Sequence, residues 1–233
     1  MERTLYITPT PIGNYDDITL RALQVLKESD LIICEEPKPA RRLLSHFGIE
    51  KELIPLNEHN EKEITPEIIR MLNEGKTASL ISDAGTPLFS DPGKYLVDQC
   101  IAAGIKIVPL PGANSLLPAL VSSGLNIEKF YYYGWLSPKK EIRKRELQKL
   151  KSVPELIVLL ETPYRLKRIL EDIQNTFGKN TYIVLAYKLT MPEEKIIRGN
   201  IGNVLEKVEK EKLKGEFVLM INNRKTERKD GKR

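Results

Sequence analysis

Apolar residues recur along the chain with two periods, and the segments that carry them alternate. "TLYIT" (4–8) and "DLIIC" (30–34) are apolar runs of strand length. Between them, "ITLRALQVLKE" repeats Ile18, Leu23, Val25 and Leu26 near helical spacing, with Asp16 or Asp17 placed to cap the helix. "ARRLLSHFG" sets Leu43, Leu44 and Phe47 on one helical face and closes at Gly48. "TPEIIRMLNEG" predicts a helix with Pro66 at its start and Gly75 just past its end. "KTASLIS" then reads as a strand, "KYLVDQCIAAG" as a helix and "IKIVPL" as a strand. The second half continues the alternation: "KFYYYGW", "ELIVLLE", "NTYIVLAYKLT" and "GEFVLMIN" are predicted strands, and "EIRKRELQKLK", "YRLKRILEDIQNTFG" and "NVLEKVEKEKL" predicted helices. Strands that alternate with helices imply a largely parallel sheet covered on both faces. The expected organisation is two α/β domains, 1–115 and 116–223, with a cleft between them as the default ligand site. The basic tail 224–233 has no apolar anchor and is expected to be disordered.

Composition narrows the class without naming it. Of 233 residues, 41% are hydrophobic and 30% charged, as in a folded, water-soluble protein. No apolar run is long enough to span a bilayer, and the N-terminus lacks the features of a secretory signal. Cys34 and Cys100, both in apolar stretches, suit reduced, core-packed thiols and a cytoplasmic location. With only His46 and His59 beside them, no metal-ligand spacing appears, and no metal is expected. Lys and Arg number 37 against 32 Asp and Glu, a net charge of +5 that is mild for a nucleic-acid binder. Its distribution says more, because "KKEIRKRELQKLK" concentrates positive charge on one predicted helix, though a solvated helix face would read the same way.

Three loops leave the ends of predicted first-half strands: "PTPIGN", "SDAGTPLFSDPG" and "PLPGANS". Each sets Gly beside Pro, which combines close backbone approach with a restricted conformation. In open parallel sheets, ligands bind at the carboxyl ends of strands, so these loops could share one site. Neither the dinucleotide pattern G-x-G-x-x-G nor the phosphate loop G-x-x-x-x-G-K-[ST] is present, which disfavours a pyrophosphate ligand. Asp83, at a strand end, could accept hydrogen bonds from an amine or hydroxyl, or could close an Asx turn.

"LYITPTPIGNYDDITLRALQVLKESDLI", "RRLLSHFGI", "SLISDAGTPLFSDPG", "PLPGANSLLPAL", "YYYGWLSPKK" and "KGEFVLMI" occur in the order of one family. The chain resembles the ribosomal RNA small-subunit 2′-O-methyltransferases, a branch of the tetrapyrrole methylase superfamily, from about Leu5 to Ile221. The resemblance implies two α/β domains of the tetrapyrrole methylase type, with S-adenosylmethionine bound in the cleft between them, and a homodimer. It implies methylation of the ribose 2′-hydroxyl of a decoding-centre cytidine in small-subunit ribosomal RNA, with no DNA or membrane partner. Asp83, Ala84, Gly85 and Leu88 then fall on the first donor loop, and Ala113, Asn114 and Ser115 on the second. Gly134, Ala186 and Gly215 are carried over as second-domain donor contacts, while Pro11, Gly13 and Asn14 would face the substrate.

Departures from the family pattern fall away from the donor loops. Relatives commonly read Glu-Asp-Thr-Arg where this chain has "EEPKP", Glu-Ser-Pro-His-Arg where it has "ETPYR", and Arg-Glu-Leu-Thr-Lys where it has "YKLTM". A ribose hydroxyl is a weak nucleophile, so Glu36 or Lys188 is expected to act as base or electrostatic support. RNA phosphates would meet Arg41, Arg42, Lys139, Lys140, Arg143, Lys144, Arg145 and Arg165. Tyr131, Tyr132, Tyr133 and Trp135 could stack on bases, although alternating strand residues more often face a core. Two other functions fit the same residues: methylation of a tetrapyrrole or other small acceptor, and RNA binding without catalysis.

Overall fold

The computed structural model describes residues 3–89 and 91–224. The chain forms two compact units, one running to Asn114 and the other beginning at Ser115.

The first unit contains β1 (Thr4–Ile7), α1 (Leu20–Glu28), β2 (Leu31–Cys34), α2 (Pro37–His46), β3 (Glu52–Pro55), α3 (Glu61–Asn73), β4 (Ala78–Leu80), α4 (Lys94–Ala102) and β5 (Lys106–Pro109). Its five strands are all parallel, in the order β3-β2-β4-β1-β5. The two-residue period of β2 sends Leu31 and Ile33 to one face and Ile32 and Cys34 to the other. Leu31 and Ile33 pack with Ile68 and Leu72 of α3 and Leu96 of α4. Ile32 and Cys34 pack with Leu26 of α1 and with Ala40 and Leu44 of α2. Both faces are therefore covered, which is why β2 is apolar at every position.

Local chemistry moves several boundaries from their predicted places. Helix α1 is capped by Thr19, whose hydroxyl accepts from the Ala22 N–H at 3.0 Å. Asp16 and Asp17 lie instead in a 3-10 turn closed by the Asn14 side chain. Helix α3 begins at Glu61, a turn earlier than predicted, and carries Pro66 inside it. An Asn57–Asn60 turn supplies its start: the Asn57 carboxamide oxygen accepts from the His59 and Asn60 N–H groups. Glu61 in turn accepts from the Tyr95 and Leu96 N–H groups, capping the first turn of α4 from a neighbouring helix.

The second unit contains α5 (Leu116–Ser122), β6 (Phe130–Gly134), α6 (Lys140–Leu150), β7 (Leu156–Glu161), α7 (Leu166–Phe177), β8 (Tyr182–Tyr187), β9 (Lys195–Asn200), α8 (Ile201–Lys210) and β10 (Phe217–Asn222). Its sheet order is β6-β7-β10-β8-β9. Only β6 and β7 pair in parallel; β10 runs antiparallel between β7 and β8, and β9 antiparallel to β8. The expected parallel sheet thus holds for the first unit and not for the second. Strand β7, like β2, shows no apolar–polar alternation, because all six of its positions are buried.

Arg143 is the largest side chain buried in this unit, 1% exposed. Its Nε donates to Asp172 at 2.7 Å and its Nη1 to the Ser137 and Pro138 carbonyls at 3.0 Å each. This corrects its assignment as a phosphate contact: α6 turns Arg143 inward beside Leu147 and Leu150 and leaves Lys144 and Arg145 outside.

Cys34 and Cys100 are free and buried in different clusters, and burial pushes each thiol up to about 11. Among the described residues no helix is long and apolar enough to cross a membrane. The tail residues 225–233 lie outside the described residues; Arg224 donates to the Lys129 carbonyl at 2.8 Å.

Arg143→Ala should destabilise the protein by about 3 kcal/mol, because it strands the Asp172 carboxylate and the Pro138 carbonyl. The exposed neighbour variant Lys144→Ala should stay within about 0.5 kcal/mol of the parent in the same urea unfolding measurement.

Candidate functional site

The strand order creates the site. From β1 the chain crosses to β2 on one side, and from β4 it crosses to β5 on the other, although β1 and β4 are neighbours. Loops that diverge from adjacent strand ends open a crevice at that point. The loop after β1 and the loop after β4 are nevertheless pinned together. Thr10 N–H donates to the Gly85 carbonyl at 2.9 Å and Gly85 N–H to the Thr10 carbonyl at 3.0 Å, a one-rung antiparallel bridge. The Thr10 hydroxyl donates to the Ser82 carbonyl at 3.0 Å, and the Ser82 hydroxyl to the Gly85 carbonyl at 2.8 Å. Below the bridge the Thr8 and Ser79 hydroxyls are 2.6 Å apart, buried between the two strands.

The loop after β5 joins them. Thr86 donates its hydroxyl to the Ala113 carbonyl at 3.1 Å. A Cβ on Gly112 would lie 2.5 Å from the Pro9 Cβ, so only glycine admits this approach. Gly85 has φ +91°, and Leu88 holds φ 69°, a strained value for a bulky residue. The three predicted loops therefore meet, bringing Asp83, Ala84, Gly85, Leu88, Ala113 and Asn114 into one region of the first unit.

The wall of this region is acidic. Asp83 accepts from the Glu36 backbone N–H, yet its carboxyl sits above the ordinary range because partial desolvation disfavours its charge and the Glu36 carboxylate adds repulsion. Glu35 is raised by burial and by Asp83, Glu36 and Glu58. Asp91 is pushed up to about 6 by burial, with Glu35 and Asp83 contributing. Glu35, Glu36, Glu58 and Asp91 line one cavity of about 550 Å³. A smaller one of about 160 Å³ is lined by Thr10, Pro11, Tyr15, Arg42, Ser82 and Asp83. Pro11 and Arg42 are thus beside Asp83. Arg41 lines a different cavity with Gly48 and Lys51, and Gly13 and Asn14 are exposed at the start of the 3-10 turn.

The other predicted residues lie in the second unit. Ser115 precedes α5. Strands β6, β7 and β8 run in one direction, so Gly134, Glu161 and Lys188 stand at one edge of the sheet, with Gly215 just before β10. A Cβ on Gly215 would meet Lys188 Cε at 2.7 Å and the Tyr187 hydroxyl at 2.9 Å. Ala186 is buried within β8. Lys188 has φ 46° and pairs with Glu193 at 3.1 Å. Tyr187 is buried, and its hydroxyl accepts from the Lys214 N–H at 3.2 Å. The sequence does not show this anchoring role.

Among the candidate phosphate contacts, Lys139, Lys140, Lys144 and Arg145 are exposed at the surface. Arg165 is not a free contact: its Nη2 donates to the Leu136 and Ser137 carbonyls at 2.9 and 3.0 Å and pairs with buried Glu161 at 3.3 Å. Tyr131 and Trp135 are exposed on edge strand β6 or just past it, whereas Tyr133 packs against the core.

The family described as Tetrapyrrole (Corrin/Porphyrin) Methylases matches residues 4–205. The chain belongs to this family. Within it, Ribosomal RNA small subunit methyltransferase I of Escherichia coli O157:H7 is 42% identical over 228 residues, 97% of this chain and 80% of that one. The protein of the same name from Pasteurella multocida (strain Pm70) is 42% identical over 219 residues, 93% of this chain and 78% of its own. Uroporphyrin-III-C-methyltransferase from Thermus thermophilus shares the fold, with a TM-score of 0.64 at 20% identity over 95% of both chains. As a tetrapyrrole methylase, the chain is an S-adenosylmethionine-dependent methyltransferase built on two α/β domains.

The raised Asp91 carboxyl makes stability depend on pH. The folded protein holds this proton more tightly than the unfolded chain, where the value is the ordinary 3.8, so the contribution is full below that value. It is lost as pH rises through about 6. The stability of Asp91→Asn relative to the parent should therefore rise by roughly 1–2 kcal/mol from about pH 4 to about pH 7 in urea unfolding.

Proposed function

We propose that this protein transfers a methyl group from S-adenosylmethionine to the 2′-hydroxyl of a cytidine ribose in the decoding centre of small-subunit ribosomal RNA. The observation that carries the reading is the convergence of the loops after β1, β4 and β5, in a chain 42% identical over 97% of its length to a ribosomal RNA small subunit methyltransferase. The residues present suit the donor. It is a sulfonium, and the acidic wall of Asp83, Glu35 and Asp91 favours a cation over a phosphate. Gly85 and Gly112 let the loops pack directly on one another, since a Cβ on either would meet Ile12 at 3.2 Å or Pro9 at 2.5 Å.

The donor supplies an activated methyl whose leaving thioether is neutral, so the protein's task is alignment. Asp83, Ala84, Gly85, Leu88, Ala113 and Asn114 hold the donor on the pinned loops. Glu36 or Lys188 supports ionisation of the ribose hydroxyl, as base or by charge. Glu36 starts α2 with its side chain exposed and free of a capping hydrogen bond. Lys188, at a left-handed backbone position, donates its N–H to the Glu216 carbonyl at 2.8 Å and pairs its ammonium with Glu193 at 3.1 Å. Lys139, Lys140, Lys144 and Arg145, at the solvent-facing side of α6, bind RNA phosphates, which makes affinity fall steeply with salt. The family resemblance supports a homodimer, acting in the cytoplasm where ribosomal subunits are found.

Labelled S-adenosylmethionine and purified small ribosomal subunits that lack the modification test this reading. Label should map to a decoding-centre cytidine ribose. Donor binding with no label on ribosomal RNA would direct attention to a small acceptor, and no donor binding to a non-catalytic role. Glu36→Gln or Lys188→Ala should slow single turnover by about 10²-fold. Normal single-turnover rates in both would remove them from the chemistry.

A further inference from the structure

Tyr164 is the most exposed phenylalanine, tyrosine or tryptophan among the described residues, at 81%. A lone exposed ring is ordinary; the way this one is held is not. It sits in the 3-10 turn Pro163–Arg165 that follows β7, where proline fixes one backbone angle. The next residue, Arg165, returns its N–H to the Thr162 carbonyl at 3.0 Å. Its guanidinium is tied to two carbonyls of the β6–α6 loop and to buried Glu161. The turn is locked from below by contacts that do not involve the ring, so the ring is presented to solvent from a rigid base.

Beside it runs an open groove of about 700 Å³ between α7 and α8, lined by Tyr164, Lys167, Glu209, Lys212 and Lys214 among others. Lys214 Nζ lies 4.6 Å from the Tyr164 ring centroid, covering one face and leaving the other open. The Lys214 backbone is fixed by its hydrogen bond to Tyr187. Lys167 is neutralised by Glu209 at 2.7 Å. Lys212 and Lys214 have no carboxylate within ion-pair distance among the described residues, so the groove carries uncompensated positive charge next to an open aromatic face.

We propose that Tyr164 and Lys214 form a stacking site for an unpaired base of the RNA substrate, with Lys212 and Lys214 facing its phosphates. The inference rests on the ribosomal RNA reading given above. An unpaired nucleotide offers a flat ring and an anion a short distance apart, which is the pairing this groove complements. The site lies at the sheet edge that also carries Lys188 and Gly215.

Full-length parent, Tyr164→Ala, Tyr164→Phe and Lys214→Gln proteins would be compared on unmodified small ribosomal subunits, with donor affinity and melting temperature measured alongside. Tyr164→Ala should raise KM for subunits about tenfold, with kcat and donor affinity little changed. Tyr164→Phe, which keeps the ring, should lose several-fold less than Tyr164→Ala. Lys214→Gln should reduce the salt slope of subunit binding by about one. An unchanged KM for Tyr164→Ala in a parent that methylates subunits overturns this inference alone. So does a loss confined to donor affinity, which would place the ring against the donor's adenine, or an equal loss for Tyr164→Phe. A parent that does not act on subunits removes the ribosomal reading, and this inference falls with it.

Discussion

The one-rung bridge between Thr10 and Gly85 is the contact on which the first unit's site depends. Two hydrogen bonds of 2.9 and 3.0 Å tie together loops that the strand order would otherwise send to opposite faces of the sheet. Everything nearby serves that junction. Thr10 and Ser82 direct their hydroxyls to its carbonyls, Gly85 takes a backbone angle open mainly to glycine, and Gly112 lets the third loop lie directly on Pro9. The crevice is thus a fixed cradle rather than a gap between independent turns. Its acidic rim belongs to the same arrangement, because Asp83 is held against the start of α2 by the Glu36 N–H.

The first unit is largely legible in the sequence because most of its long elements have one clear period and a terminal Gly, Pro or capping residue. What escapes the sequence has weak or contradictory signals. Strand β3 is only "ELIP", half-buried and ended by proline. Helix α5 carries Pro118 in its first turn, and its apolar run looks like part of a loop. Strand β9, "KIIRGN", alternates poorly and contains glycine, so it merges with its surroundings. The antiparallel setting of β10 has no local signature at all: a fully buried strand is apolar whichever way its neighbours run.

The candidate site divides along a similar line. The Gly-Pro loops are readable because backbone constraints are written directly in those residue types. Roles that depend on which way a side chain turns are not. Arg143 lies within a run of lysines and arginines, and nothing in that run distinguishes the inward position except its helical spacing from Leu147 and Leu150. In the sequence, Arg165 and Tyr187 read only as groups that grip, or fail to grip, something outside, whereas both act on backbone of their own unit. Long polar side chains can serve as internal struts, and only their partners reveal it.

The two outer strands of the first sheet, β3 and β5, share a detail with a further consequence. Leu56 N–H points inward to Cys34 and Leu110 N–H inward to Ile7, so the nitrogens of Pro55 and Pro109, one residue earlier, face outward. A proline there offers no donor, and each strand also opens with a charged residue, Glu52 or Lys106. Each margin therefore presents one backbone donor fewer to an incoming strand, beside a charged flank, which disfavours extension of the sheet through a shared β-ladder.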